Sequence, residues 1–202
     1  MIEIIAHRAC LNGFDNLMDN IPYFIENRLD IELDLRIGKN GVYVSHDKVE
    51  DGELFEDICK ICANSKIKLA LHIKEPESIK QIIMLLKKYS IDNYFMFNTE
   101  NFELSTFVEP EKNAIYLNQK QKIGNEKFLW CDESQKKWFT KEIFSEFHKH
   151  DKIIYGMSLE LIKTSNEEDI MMEWKKLIDL GIDGICTNYP EKLMKYLKGD
   201  LY

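Results

Sequence analysis

No purely apolar run in this 202-residue chain is longer than Ile82 to Leu86, far short of the roughly 20 residues a membrane helix needs. A membrane span is therefore not expected. Nor is positive charge concentrated anywhere. Lys plus Arg number 27 against 35 Asp plus Glu, for a net charge of −8, and the two signs are interleaved throughout. Without a basic stripe, nucleic acid is not an expected partner. The opening Met1-Ile2-Glu3-Ile4-Ile5-Ala6-His7 has no basic region followed by an apolar stretch, so it does not read as a signal peptide, and a cytoplasmic location is the expectation. The five cysteines are odd in number and scattered, which favours reduced thiols over a disulfide framework. There is no glycine-rich phosphate loop, no His-Glu-x-x-His and no Gly-x-Ser-x-Gly elbow, so the reactions those motifs serve lack support. Long linkers, internal repeats and low-complexity tracts are also missing.

What the chain does have is a regular alternation. Apolar and β-branched runs at Ile2–Ala6, Asp30–Leu35, Ile67–Ile73, Tyr94–Phe97, Asn113–Leu117, Phe128–Cys131, Ile153–Met157 and Ile182–Thr187 read as eight strands. Helix-period segments lie between most of them, at Phe14–Asn27, Leu54–Ala63, Glu77–Tyr89, Glu100–Phe107, Thr140–His150 and Glu167–Leu180, with Glu191–Lys198 at the end. Eight strand–helix units of about 25 residues each predict an α/β fold, a compact (β/α)8 TIM barrel formed by residues 1–202 as a single domain. An open doubly wound sheet is the competing architecture. The polar stretch Asn118–Lys127 is too short for a good helix. Thr140 and Asn166 are positioned as N-caps, Gly181 as a left-handed C-terminal residue, and Gly38-Lys39-Asn40-Gly41 as a tight turn before the extended Val42-Tyr43-Val44.

Unusual polar residues gather where the first three strands end, which is the face at which barrel enzymes act. The first strand runs into His7 and Arg8. Glu32 and Asp34, two residues apart on the second, project to one face, with Ile31, Leu33 and Leu35 on the other. Adjacent carboxylates repel. A divalent cation relieves that repulsion, and so would ion pairs with Arg8 and Arg36. Val44-Ser45 leads to His46-Asp47, and the third strand ends in His72-Ile73-Lys74. By contrast His148 and His150 fall in the last turn of a lysine-rich helix, where a cation suits the helix dipole. Cys59 and Cys62 share a helix face without a second pair and read as core. Of the three tryptophans only Trp130, at a strand end, is placed to face a ligand.

Taken in order, Ala6-His7-Arg8-Ala9, Phe14-Asp15-Asn16, Ile31-Glu32-Leu33-Asp34, Gly38-Lys39-Asn40-Gly41 and Val44-Ser45-His46-Asp47 resemble the opening of the glycerophosphodiester phosphodiesterase family. That opening reads His-Arg-Gly, Glu-Asn-Thr, Glu-x-Asp, a glycine-containing turn and His-Asp. Leu69-Ala70-Leu71-His72-Ile73-Lys74 is similar to the family's Leu-x-Leu-Glu-Ile-Lys strand, and the run from Gly181 to Pro190 to its Gly-Val-Asp-Gly-Ile-x-Thr-Asp-x-Pro ending. Residues 90–165 carry little of the likeness.

The resemblance implies a phosphodiesterase barrel acting on a glycerophosphodiester or a related small phosphodiester, including one linked to a surface polysaccharide. Glu32, Asp34 and the position of His72 would hold a divalent metal, Mg or Ca by resemblance. Arg8 and Lys74 would bind phosphate oxygens, and His7 and His46 would be the acid–base pair. The chain departs from the pattern at His72, where the family has a carboxylate, at Ala9 for glycine and at Asn188 for aspartate. It also has Gly156-Met157-Ser158-Leu159-Glu160 where the family has Trp-Thr-x-Asn. An imidazole in the metal shell shifts the expected preference toward Mn, Zn or Fe. Two alternatives stay open at this stage: a barrel that binds phosphodiesters or sugar phosphates without turnover, and a lyase that stops at a cyclic phosphate. The sequence does not specify an oligomeric state.

Overall fold

The computed structural model describes residues 2–11, 17–50, 52–100, 102–119 and 123–200. Among the described residues ten strands form one curled sheet. They are β1 (Glu3–Ala6), β2 (Asp30–Gly38), β3 (Gly41–Val44), β4 (Glu53–Leu54), β5 (Leu69–Ile73), β6 (Tyr94–Phe97), β7 (Ala114–Leu117), β8 (Phe128–Cys131), β9 (Ile153–Met157) and β10 (Gly184–Thr187). Six α-helices lie among the described residues: α1 (Leu17–Asn27), α2 (Phe55–Cys62), α3 (Ile79–Lys88), α4 (Lys141–Lys149), α5 (Glu167–Leu180) and α6 (Pro190–Lys198). None is long and apolar enough to cross a membrane.

The eight expected strands are all present, as β1, β2 and β5–β10, and they run parallel. The first pairs with the last, in the register Glu3↔Gly184 to Ala6↔Thr187, so the sheet curls back on itself instead of spreading as a doubly wound sheet. Between β6 and β7 the described residues share a single bridge, Met96↔Asn113. The sequence reading has one extended piece after the turn; the structure has a meander, with β3 antiparallel to β2 and β4 antiparallel to β3. Gly41, at φ 121°, supplies the backbone conformation the tight turn requires.

The expected caps are formed. Thr140 Oγ1 accepts from the Ile143 amide at 3.3 Å, Asn166 Oδ1 from that of Asp169 at 2.8 Å, and Gly181 sits at φ 92°. The helix expected over Glu100–Phe107 is not formed: among its described residues only a 3-10 turn, Leu104–Thr106, is present. The Asn98 amide donates to the carbonyls of Glu100 and Phe102, and the Thr106 hydroxyl to that of Glu103, so side chains take acceptors a helix would use. Pro110 then holds Glu109 extended. Of the segment Phe14–Asn27, residues 14–16 lie outside the described residues, and so do residues 120–122 of the polar stretch.

Two apolar clusters follow from strand alternation. The larger lies between the sheet and its helices and includes Ile31, Leu33, Leu35, Leu69 and Leu71. The smaller is inside the curl and is built from Phe95, Phe97, Phe128, Trp130 and Tyr155 against the small residues Ala70, Ala114 and Cys186. The aromatic rings come from β6, β8 and β9, while β1, β2 and β5 contribute the polar residues of the interior. The Lys68 ammonium, paired with Glu3 at 2.5 Å, lies 5.3 Å from the Tyr155 ring centre, and the Tyr155 hydroxyl also donates to Glu3 at 2.6 Å. All five cysteines are buried, and none is in a disulfide.

Candidate active site

A cavity of about 250 Å³ opens at the C-terminal ends of the strands, and His7, Arg8, Glu32, Asp34, His46 and His72 line it. The parallel register places Asp34 opposite His72 on neighbouring strands, and their side chains meet at 2.9 Å through His72 Nδ1. Ligand atoms of Glu32, Asp34 and His72 all lie within 4.8 Å of one another, and all three residues are buried. Two anionic oxygens and an imidazole nitrogen suit a divalent cation of the first transition series, and the oxygens alone suit Mg²⁺ or Ca²⁺.

The chain leaves β1 through a 3-10 turn in which Arg8 and Ala9 have φ of 51° and 47°. For residues with a Cβ this left-handed backbone costs about 1–2 kcal/mol each. The Arg8 amide donates to Glu32 at 3.0 Å and the Asn20 side chain to the Ala9 carbonyl at 3.0 Å, which holds the turn in place. The turn aims His7 inward. His7 Nδ1 is 2.9 Å from Asn188 Oδ1, so Nδ1 is the donor and Nε2, 3.9 Å from Glu32, faces the cavity. Asn188 is fixed in turn by Glu160, which accepts from its backbone amide at 3.0 Å and from Thr187 Oγ1 at 2.5 Å.

Arg8 Nε is 3.2 Å from Asp34, and Lys74 Nζ is 3.1 Å from the same carboxylate. Burial alone would raise the Asp34 pKa, but the His72 and Lys74 hydrogen bonds and charges outweigh it and hold Asp34 well below the usual carboxylate range. Glu32 moves the other way, pushed up by burial and by the neighbouring Asp34 charge. His72 is raised: burial opposes its protonation, yet its hydrogen bonds to the Asp34 and Glu100 carboxylates prevail.

The remaining residues singled out in the sequence are placed as follows. Arg36 does not neutralise the acid pair. Its guanidinium bonds Glu75 at 2.5 Å and the His46 carbonyl at 3.0 and 2.6 Å, because β2 runs past the cavity rim before turning. Lys74 touches Asp34, lies 3.3 Å from His72 Nε2 and reaches Glu100 at 3.6 Å, without itself being among the residues that line the cavity. His46 stands half exposed on the loop after β3, with Nδ1 2.9 Å from Asp47. His148 bonds Asp183 at 2.9 Å and His150 is 3.3 Å from Glu146, both away from the cavity. Burial pushes the Cys59 and Cys62 thiols up to about 12, as befits core residues.

Trp130 faces the cavity as its place in the sequence suggests. Phe97, Thr99, Tyr116 and Asp132 also line it and were not singled out. The signal for Asp132 was the acidic pair Asp132-Glu133 directly after the strand that ends in Trp130-Cys131.

No protein-family model matches the sequence, and a comparison with curated proteins finds no match. Solved structures do match. A glycerophosphoryl diester phosphodiesterase from Parabacteroides distasonis superposes with a TM-score of 0.75 at 13% identity, over 98% of this chain and 87% of that one. This chain has the glycerophosphodiester phosphodiesterase fold. A glycerophosphodiester phosphodiesterase from Thermotoga maritima gives 0.69 at 18% identity, covering 97% and 98%. A Ca²⁺-dependent phosphatidylinositol-specific phospholipase C from Streptomyces antibioticus gives 0.61 at 9%, covering 94% of each chain. At these identities the likeness is one of fold, and activity has to be argued from the cavity.

Proposed function

We propose that the chain is a single-domain, compact (β/α)8 barrel enzyme, a divalent-metal-dependent phosphoric diester hydrolase acting on a glycerophosphodiester or a related small phosphodiester. The observation that carries this is the meeting of Glu32, Asp34 and His72 within 4.8 Å, in the same cavity as His7, Arg8 and His46. Glu32, Asp34 and His72 would hold the metal: Mg²⁺ or Ca²⁺ through the carboxylates, with Mn²⁺, Zn²⁺ or Fe²⁺ favoured by the imidazole. When bound, such a cation supplies Lewis-acid polarisation of a phosphoryl oxygen.

The remaining chemistry belongs to the chain. The Arg8 guanidinium, 40% exposed, is free to turn from Asp34 toward a phosphate oxygen, and Lys74 reinforces the positive potential from behind Asp34. His7, with its Nδ1 proton held by Asn188, presents Nε2 as an acceptor and takes the proton of the attacking oxygen. His46, on the solvent side, protonates the leaving alkoxide. Arg36 positions it through its carbonyl, and Glu75 holds Arg36.

The test is a panel of glycerophosphodiesters presented to chelator-treated protein with Mg²⁺, Ca²⁺, Mn²⁺ or Zn²⁺ added singly, with products followed by phosphorus NMR. Metal-dependent release of an alcohol and a phosphomonoester is expected. A cyclic phosphate that accumulates unopened would make the enzyme a lyase, and no turnover with any of the metals would reduce it to a binding barrel.

A further inference from the structure

The barrel wall is thinnest beside β7. Between β6 and β7 the described chain forms only two 3-10 turns, Leu104–Thr106 and Pro110–Lys112, and between β7 and β8 no α-helix lies among the described residues. The strands β6 and β7 themselves share the single bridge Met96↔Asn113. Without covering helices, cavities of about 310 and 300 Å³ are left along this seam, and Ser105, Asn113 and Glu126 line both. Thr99 and Tyr116 line the larger of them and the candidate active site alike.

Two side chains here lack partners. Asn113 is only 4% exposed, and its Oδ1, like Glu126 Oε2, is shielded from solvent without a hydrogen bond. Buried acceptors in that condition are rare and costly. Gly124 is what lets the carboxylate fold in, since a Cβ there would lie 2.7 Å from Glu126 Oε2. The Lys152 ammonium is close by, yet it bonds the carbonyls of Gly124 and Glu126 at 2.8 and 2.6 Å, which holds the loop and leaves the carboxylate unpaired. Among the described residues no Lys, Arg or His lines either cavity.

The vacant interactions are all of one kind. Ser105, Asn113 and Glu126 offer a hydroxyl, an amide oxygen and a carboxylate, and an ammonium group has three N–H donors and one positive charge. A water molecule would satisfy the two orphaned oxygens but bring no charge to Glu126. A divalent cation would find one carboxylate among the three shared side chains, too few for a site of its usual composition. Next to them, Leu104 and Ile115 give the larger cavity an apolar side.

We propose that this seam is a binding site for a small aliphatic amine, whose ammonium group lies among Ser105, Asn113 and Glu126 and whose carbon chain lies against Leu104 and Ile115. The site stands or falls independently of the phosphodiesterase reading.

Three probes test it on chelator-treated protein at constant ionic strength, by saturation-transfer NMR and titration calorimetry. They are butylammonium chloride, butan-1-ol, which has the same chain without the charge, and butyltrimethylammonium chloride, which keeps the charge and lacks the N–H donors. Butylammonium is expected to bind about tenfold more tightly than either, and Glu126→Gln and Asn113→Ala each to weaken it about tenfold, the usual worth of a hydrogen bond to a charged group. Equal binding of the three probes, or undiminished binding in either variant, overturns the proposal. So does a loss in Glu32→Gln that Glu126→Gln does not share, because the amine would then occupy the candidate active site. Amine-free Glu126→Gln should melt no lower than the parent, since the charge it removes has no partner. A fall of several degrees would give that carboxylate a structural role in place of a binding one and overturn the site.

Discussion

Replacing His72 with glutamate tests the metal cluster most directly, because it exchanges a neutral ligand for a charged one without moving the backbone. A third carboxylate would stand beside Glu32 and Asp34 within the 4.8 Å that now encloses the ligand atoms. At that separation each like-charge pair costs roughly 3 kcal/mol at an effective dielectric of about 20. Taking up a proton caps the penalty, since holding a glutamate neutral at pH 7 costs about 4 kcal/mol. The substitution also removes the His72 bond to Thr99 at 3.1 Å and the ring stack on Phe97 at 4.6 Å. Metal-free His72→Glu should therefore melt roughly 8–16 °C below the parent, at about 2–4 °C per kcal/mol for a chain of this size. Added Mg²⁺ or Ca²⁺ should reverse most of that loss, because a cation that binds only the folded state stabilises it by mass action. A ten- to hundredfold gain in affinity adds about 1.4–2.8 kcal/mol at saturation. The assays are thermal unfolding with and without chelator, and titration calorimetry ranking Mg²⁺, Ca²⁺, Mn²⁺ and Zn²⁺. An unchanged metal-free melting point together with an unchanged metal ranking would remove His72 from the shell.

Three further outcomes are expected. His7→Ala and His46→Ala should each lower kcat by ~10²–10⁴-fold with the melting temperature unchanged, the usual contribution of a general acid or base; wild-type rates would dismiss the pair. Burial would raise the Glu133 pKa, but Lys176, the Phe139 and Trp138 amides and Lys137 together lower it, so its stabilisation is complete at neutral pH and is lost as pH falls below the ordinary glutamate value near 4.3. Glu133→Gln should cost about 3 kcal/mol at pH 7 and flatten the acid side of the stability profile, and two superimposable profiles would refute the assignment. With Cys59 and Cys62 pushed up to about 12 by burial, almost no thiolate exists at pH 8; a disulfide reagent should leave all five buried cysteines unmodified until the chain unfolds, and rapid native labelling of either would contradict the packing.

The strands were legible because each carries its own pattern. Glu32 and Asp34 alternate with Ile31, Leu33 and Leu35, and the two sets point to the cavity and to the helices. Caps at Thr140 and Asn166 were legible for the same reason, since their bonds reach only three residues along the chain. The segment Glu100–Phe107 was misread because its fate depends on Asn98 and Pro110, which flank the helical pattern and lie outside it. The alternative in which Arg36 neutralises the acid pair was open in the sequence because side-chain direction near a strand end depends on a hairpin partner, here the loop bearing His46. Asp132 and Tyr116 belong to a part of the chain without motif. They meet because Tyr116 pairs with Trp130 across β7 and β8, and no spacing along the sequence reports that register.

The departure at His72 gains sense from the charges around Asp34. Three cationic or protonatable groups, Arg8 at 3.2 Å, His72 at 2.9 Å and Lys74 at 3.1 Å, converge on this one carboxylate. His72 and Lys74 hold Asp34 ionised, while burial and the Asp34 charge push Glu32 toward its neutral form. A glutamate at position 72 would contribute no such compensation, and the metal-free cluster would then carry more negative charge than Lys74 and Arg8 offset. The imidazole thus lowers the cost of the metal-free state, and if the cluster holds a metal as proposed, affinity would fall for the same reason, because binding is measured from that state. On the proposed reading, the parent would hold a metal less tightly than His72→Glu and would have the more stable metal-free fold.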